Sequence, residues 1–228
     1  MFHRRSTSTL SRGSLDRCAR QVHVGNAYMI VEKRTYFLKP GSVASVEDLF
    51  LTHLPHRTAL SPFARLWHTL TGRLNAIVHM WPYADIDERD KIRAAMMMPP
   101  KWPPPLREFI VEMHSTILKP APFSPGMRPG KHGSLYEFCV DEYAPGGVTE
   151  CQNGWNAALP ARASLARLVF CGTSDIGALN RWFHVWAYRD AAHRDEVYAH
   201  VNGALSHTSK LLRQELFLAR PAKCSPLN

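Results

Sequence analysis

The sequence predicts an α+β fold made of two tandem β-α-β-β-α-β units whose sheets pack face to face, and three observations predict it. First, HMWPYADIDERD at 79–90 recurs as HVWAYRDAAHRD at 184–195, matching at six of twelve positions, where ordinary composition would give about one. Second, the 105-residue offset holds without a gap far upstream: Glu32 falls on Glu137, Pro40 and Gly41 on Pro145 and Gly146, Leu54 and Pro55 on Leu159 and Pro160, and Arg57 on Arg162. Solenoid units repeat every 20 to 50 residues or so, so this spacing marks a duplicated domain. Third, each copy runs through the same succession of period-2 and period-3.6 apolar patterns.

MIVEKRTYFL (29–38), rich in β-branched and aromatic residues, reads as a strand closed by Lys39, Pro40 and Gly41 as a turn. Val43, Val46, Phe50 and Leu54 have helical spacing, and Val148, Cys151, Trp155 and Leu159 repeat it, so an apolar helix face is expected in both copies. Pro55 and Pro160 should kink or end those helices. Two short strands, 63–71 and 75–83, flank a tight turn at Gly72 and Arg73, which recurs around Gly177. Asp85 is placed as an N-cap with Glu88 three residues on, opening a helix that turns Ile92 and Met96 inward; Asp190, Val197 and Val201 take those parts in the second copy. MPPKWPPP (98–105) is a stiff excursion before a last helix and a closing strand near 113–119. The halves end alike, in KPAPFSP and RPAKCSP.

The chain therefore divides into a leader (1–27), a first repeat (28–125), a linker (126–133) and a second repeat (134–228). The strand and helix order is ferredoxin-like. One face of such a sheet is covered by its own helices and the other is bare. Two bare faces pressed together bury both, giving a pseudo-dimeric α+β barrel within one chain.

Composition narrows the function classes. No stretch approaches the ~20 apolar residues of a membrane helix. The cysteines, Cys18, Cys139, Cys151, Cys171 and Cys224, are odd in number and lack a CxxC pair, and four fall in the second half; matched halves with unmatched cysteines argue against a shared disulfide or zinc framework. Of the net charge of +9, five arginines against Asp16 put +4 in the first 26 residues. The remainder is too diffuse for a nucleic-acid footprint. The leader has arginine but no lysine, six Ser or Thr, and an apolar stripe at Leu15, Cys18 and Val22, the composition of a mitochondrial presequence.

EKRTYFLKPG, GRLNAIVHMWPYADIDERDKIRAA, ILKPAPFSP and, in the second copy, GALNRWFHVWAYRDAAHRDEV resemble the NIPSNAP family over about residues 28–228. The resemblance implies two tandem domains of the dimeric α+β-barrel kind, a mitochondrial address, and roles in protein association rather than an established reaction. The proline-rich 99–105 departs from the family pattern, although Trp102 remains, and YAHVNGALSHTSKLL is also atypical.

Strand alternation puts His79, Trp81 and Tyr83 on one face and Val78 and Met80 on the other. The apolar pair is expected against the helices, so that His79, Trp81 and Tyr83, with His184, Trp186 and Tyr188 opposite, point between the two sheets. Glu32 and Glu137, on the neighbouring strand, are expected to approach His79 and His184 and hold those rings charged and oriented. Two readings compete. One is a ligand or catalytic pocket of the haem- or monooxygenase-type known for such barrels. The other is a satisfied polar network inside a packed interface. The second is preferred, because both copies keep the set, as a symmetric interface requires. Asp85, Arg89 and Asp90 read as a cap with a helix-surface ion pair. Met96, Met97 and Met98 read as soft packing. HxxxH and HExxH spacings, a glycine-rich phosphate loop and a GxSxG elbow are all lacking.

The expectation is thus a non-catalytic interaction or scaffold protein at the matrix or matrix side of the inner membrane, with no catalytic residue, cofactor or metal. Its expected partners are other mitochondrial proteins, including a multi-subunit membrane complex, or further copies of the chain. Nucleic acid is not expected, and membrane contact is peripheral at most, through the basic leader.

Overall fold

The computed structural model describes residues 29–61, 65–97, 102–126, 130–201 and 209–225. The leader at 1–27 lies outside the described residues, as does part of the linker.

The first half runs β1 (Ile30–Leu38), α1 (Val43–Thr58), β2 (Arg65–Thr69), β3 (Ala76–Tyr83), α2 (Ile86–Met96) and β4 (Ile110–Pro120). The second runs β5 (Leu135–Tyr143), α3 (Gly147–Ala163), β6 (Arg167–Ile176), β7 (Arg181–Tyr188), α4 (Ala191–Val201) and β8 (Leu211–Pro221). Every strand pair is antiparallel, and the strands close into one barrel in the order β1-β3-β2-β8-β5-β7-β6-β4. The duplication is visible in the register: Glu32 faces Trp81 as Glu137 faces Trp186.

Two seams join the halves. β2 meets β8 at Trp67 to Thr69, and β4 meets β6 at Ile117 to Pro120. At the second seam a side chain on Gly172 would put its Cβ 2.3 Å from the Lys119 carbonyl oxygen, so the close backbone approach there requires glycine. The barrel is filled by apolar residues of both halves, among them Val31, Trp67, Val78, Met80, Phe138 and Phe183. At roughly 1.5 to 3 kcal/mol for each large side chain buried, this shared interior makes closure favourable.

Outside the barrel, Val46 and Phe50 of α1, and Cys151 and Trp155 of α3, are buried on the sheet, as their spacing predicts. Pro55 and Pro160 do not end these helices. Each helix continues one turn beyond, to Thr58 and Ala163, because a proline interrupts only its own amide bond and the chain there stays helical. That extra turn carries Arg57 and Arg162. The last helix expected before β4 is not formed: 102–109 are bends and turns, since Pro103, Pro104 and Pro105 supply no amide hydrogens and hold their predecessors extended. Trp102 instead packs on Phe50 and Trp81, with ring centres 5.5 and 6.1 Å apart. Asp85 caps α2 by accepting from the Glu88 amide at 2.7 Å, and Asp190 caps α4 through the His193 amide at 2.8 Å.

Candidate functional site

The repeated set lies on the face opposite to the one expected. Val78 and Met80 enter the barrel, while Trp81 and Tyr83 pack with Val46 and Phe50 beneath α1. His79 goes with them, its ring 5.5 Å from Phe50 and 4.8 Å from Tyr36. The second half repeats this: Val185 and Ala187 face inward, and Trp186 and Tyr188 join Trp155 of α3, whose ring centre is 4.6 Å from His184. Period-2 alternation separates two faces but does not label them, and here both are buried. Rings with polar edges take the side where helices supply arginine.

Those arginines organise each set. Arg57, 1% exposed, lies 4.0 Å over the Trp81 ring and donates to the Tyr83 hydroxyl at 2.9 Å. Arg162 lies 4.4 Å over Trp186 and donates to Tyr188 at 2.7 Å and to Glu137 at 3.0 Å. Glu137 is fully buried and also accepts from the Tyr198 hydroxyl at 2.8 Å, from Tyr188 and from Arg194. Glu32, 1% exposed, accepts from Arg89 and Ser115 at 2.8 and 2.7 Å. Burial acts to raise the Glu32 pKa, but the bonds from Arg89 and Ser115 and the charge of Arg34 outweigh it and leave it below the usual value. Arg89 is thus more than a surface partner of Asp90: it reaches 57 residues back to β1.

Neither carboxylate bonds the histidine it was expected to charge. His79 Nδ1 accepts from the Trp81 indole at 2.5 Å, and His184 Nδ1 accepts from Trp186 at 3.1 Å. Burial, with Arg34 and Arg57 nearby, drives the His79 pKa well below its usual value. For His184, burial lowers it too, while Asp141, 3.6 Å from Nε2, opposes. Both rings are held neutral. The unfolded chain therefore takes up these protons first, and the associated stability, present above about pH 6.5, is lost as pH falls below it, by up to ~1.4 kcal/mol per pH unit for each ring. The His79 ring resonances are expected to stay at neutral-imidazole positions from pH 8 to about 5.5 in NMR spectra; a midpoint near 6.5 would contradict the burial.

Arg57, Arg162, Arg89, Arg194, Tyr198, Ser115 and Asp141 were not foreseen as members of these sets. For the four arginines a signal existed, since Arg57 recurs at Arg162 and Arg89 at Arg194. Among the described residues no group of three His, Cys, Asp or Glu is placed to hold a metal ion. The described cysteines are free thiols, and those of Cys139, Cys151 and Cys171 are raised in pKa by burial.

Open space lies inside the barrel, at one end. A cavity of about 290 Å³ is floored by Val78, Leu118, Val140, Phe183 and Phe217 and rimmed by Lys33, Arg73, Arg181, His114 and Glu215. Towards the other end, Trp67 packs its ring against Tyr136 and Phe138 at 5.6 and 5.1 Å.

The sequence matches the NIPSNAP family over residues 31–125 and 136–226. It is 28% identical to "Protein NipSnap homolog 3A" of Homo sapiens and 30% identical to "Protein NipSnap homolog 3B" of Mus musculus, each over 213 residues, covering 86% of this chain and 85% of the relative. Among solved structures, a putative monooxygenase from Lactobacillus acidophilus superposes with a TM-score of 0.63 over 86% of this chain and 95% of that one, at 9% identity. At that identity the likeness concerns the fold alone.

Proposed function

The chain belongs to the NIPSNAP family, and from that premise we propose that it is a non-catalytic protein-interaction or scaffold protein of mitochondria, serving as an accessory subunit of a larger assembly on the matrix side of the inner membrane. The observation that supports this reading is the closure of the repeated sets. Their carboxylates are committed to arginines, their histidines are neutral and roofed by aromatic rings, and both copies are kept in the same state. A general acid, base or haem ligand needs access to its substrate or iron, and these side chains are 3% exposed or less. A monooxygenase-like reading through His79 or His184 is therefore the weaker one.

Partner surface is available at the barrel's ends. β4 pairs with β6 only from Ile117 onward, and β8 meets the end of β2 only from Leu218, so among the described residues the first parts of both strands have one unpaired edge. Val111, Met113 and Leu212 stand there 63%, 50% and 67% exposed. Unpaired edges with apolar side chains are a common docking geometry.

Native gel electrophoresis of mildly solubilised mitochondria is expected to show the chain in a species well above its own 25.8 kDa. Replacing Val111 and Leu212 together by aspartate should release it. Migration solely as the free chain would reject the proposal.

A further inference from the structure

The barrel cavity breaks the internal symmetry. Position 33 in the first half corresponds to 138 in the second, where Phe138 is buried in the barrel core. Lys33 replaces that ring in the first half. Its ammonium reaches across to β7 and sits 5.3 Å from the centre of the Phe183 ring, at the cavity wall. A repeated feature answers to symmetric packing, whereas one that differs between copies at an open cavity answers to a ligand that binds once.

Of the basic side chains around the cavity, Arg181 and Arg73 have carboxylate partners and Lys33 has none in contact among the described residues. Arg181 donates to Glu142 at 2.8 and 3.2 Å, and Arg73 pairs with Glu112, which also bonds His114. Among the described residues no carboxylate lies in contact with Lys33. Glu215, on β8, acts on it only at a distance, as does Arg181 on β7; β5 and β6 contribute the uncharged Val140 and Ser174 to the lining. Burial in this setting lowers the Lys33 pKa to about 8.

We propose that the open end of the barrel is a binding site for a small amphipathic monocarboxylic acid, its carboxylate on the Lys33 ammonium and its apolar part against Phe183 and Phe217. A volume of about 290 Å³ sits at the low end of ligand pockets, so the acid is small. Glu215 faces the same space without an ion-pair partner among the described residues and disfavours a second negative charge, so diacids are rejected. The site does not involve the repeated histidine sets, and it stands or falls separately from the scaffold reading.

The test is isothermal titration of the full chain with octanoate and 4-phenylbutyrate, their uncharged amides, and suberate. The monoacids are expected to bind once per chain, at least tenfold more tightly than the amides or the diacid. Only the protonated amine attracts the carboxylate, so affinity should fall about tenfold between pH 7 and pH 9, as the protonated fraction of a group titrating near 8 falls by that factor. Lys33→Met should abolish the preference for acid over amide. Lys33→Arg should keep it and lose the pH dependence over that range. Equal affinity for acid and amide, an unchanged preference in Lys33→Met, or no heat with millimolar monoacid would overturn the proposal.

Discussion

Glu137→Gln is expected to lower stability by about 3 to 5 kcal/mol, the range for breaking one side of a buried ion pair. The wild-type carboxylate is fully buried and takes hydrogen bonds from Arg162, Arg194, Tyr188 and Tyr198. Glutamine keeps the shape but not the charge: Arg194, 20% exposed, can turn to water, whereas Arg162 is left as a buried guanidinium without its counter-ion. Arg162 is most affected, with 8% side-chain exposure. For a chain of this size each kcal/mol moves the melting temperature by roughly 2 to 4 °C, so the midpoint in scanning calorimetry should fall by roughly 6 to 20 °C. Glu32→Gln should cost less. Its arginines, Arg34, Arg89 and Arg93, are 18%, 19% and 36% exposed and can recover water when the charge is lost. The reference is Glu150→Gln at the exposed Lys210 pair, expected to change stability by at most about 1 kcal/mol. A melting point within 2 °C or so of wild type for Glu137→Gln would show that this network does not hold the second half together.

Lys33→Met is expected to act in the opposite direction and stabilise the fold at neutral pH. The sign follows from proton uptake. The Lys33 pKa is about 8 in the folded chain against an ordinary 10.5, so between these values the unfolded chain binds the proton and the folded chain does not. Stability therefore rises with pH across that window. The cost of holding the charged amine in the barrel is fully present below pH 8 and gone above 10.5. The difference corresponds to about 3 kcal/mol at most. Urea denaturation of wild type should show this rise from pH 8 to 10, and Lys33→Met should be flatter and more stable at pH 7. A variant less stable than wild type at pH 7, with the same pH profile, would mean that Lys33 is well solvated. A residue that costs stability at the wall of a cavity is the pattern expected of a site kept for binding.

The same residues show where the sequence was legible. The strand at 29–38, the helix faces through Phe50 and Trp155, and the caps at Asp85 and Asp190 depend on neighbours within a few residues, and such local rules read directly from a chain. The halves also check each other, because a motif written twice at one offset separates signal from accident. What failed was non-local. Both faces of β3 and β7 are buried, so hydrophobicity could not say which of His79 and Val78 meets the helices. Arg89 looked like a partner for adjacent Asp90 and is also the partner of Glu32, 57 residues earlier. Lys33 gave no local sign at all, sitting in a strand whose apolar neighbours are ordinary.

By itself, then, the sequence determined the duplication, the order of strands and helices in each half, and the family to which they belong, since these rest on periodicity and on the repeated phrase. Only the tertiary structure decided that the His-Trp-Tyr rings lie beneath the helices with arginines over them, and that an open cavity lies at the barrel mouth beside Lys33. The physical reason is that closing eight strands brings together side chains from β1, β7 and β8, far apart in the chain. The cost of burying a charge depends on that company, which no local pattern encodes.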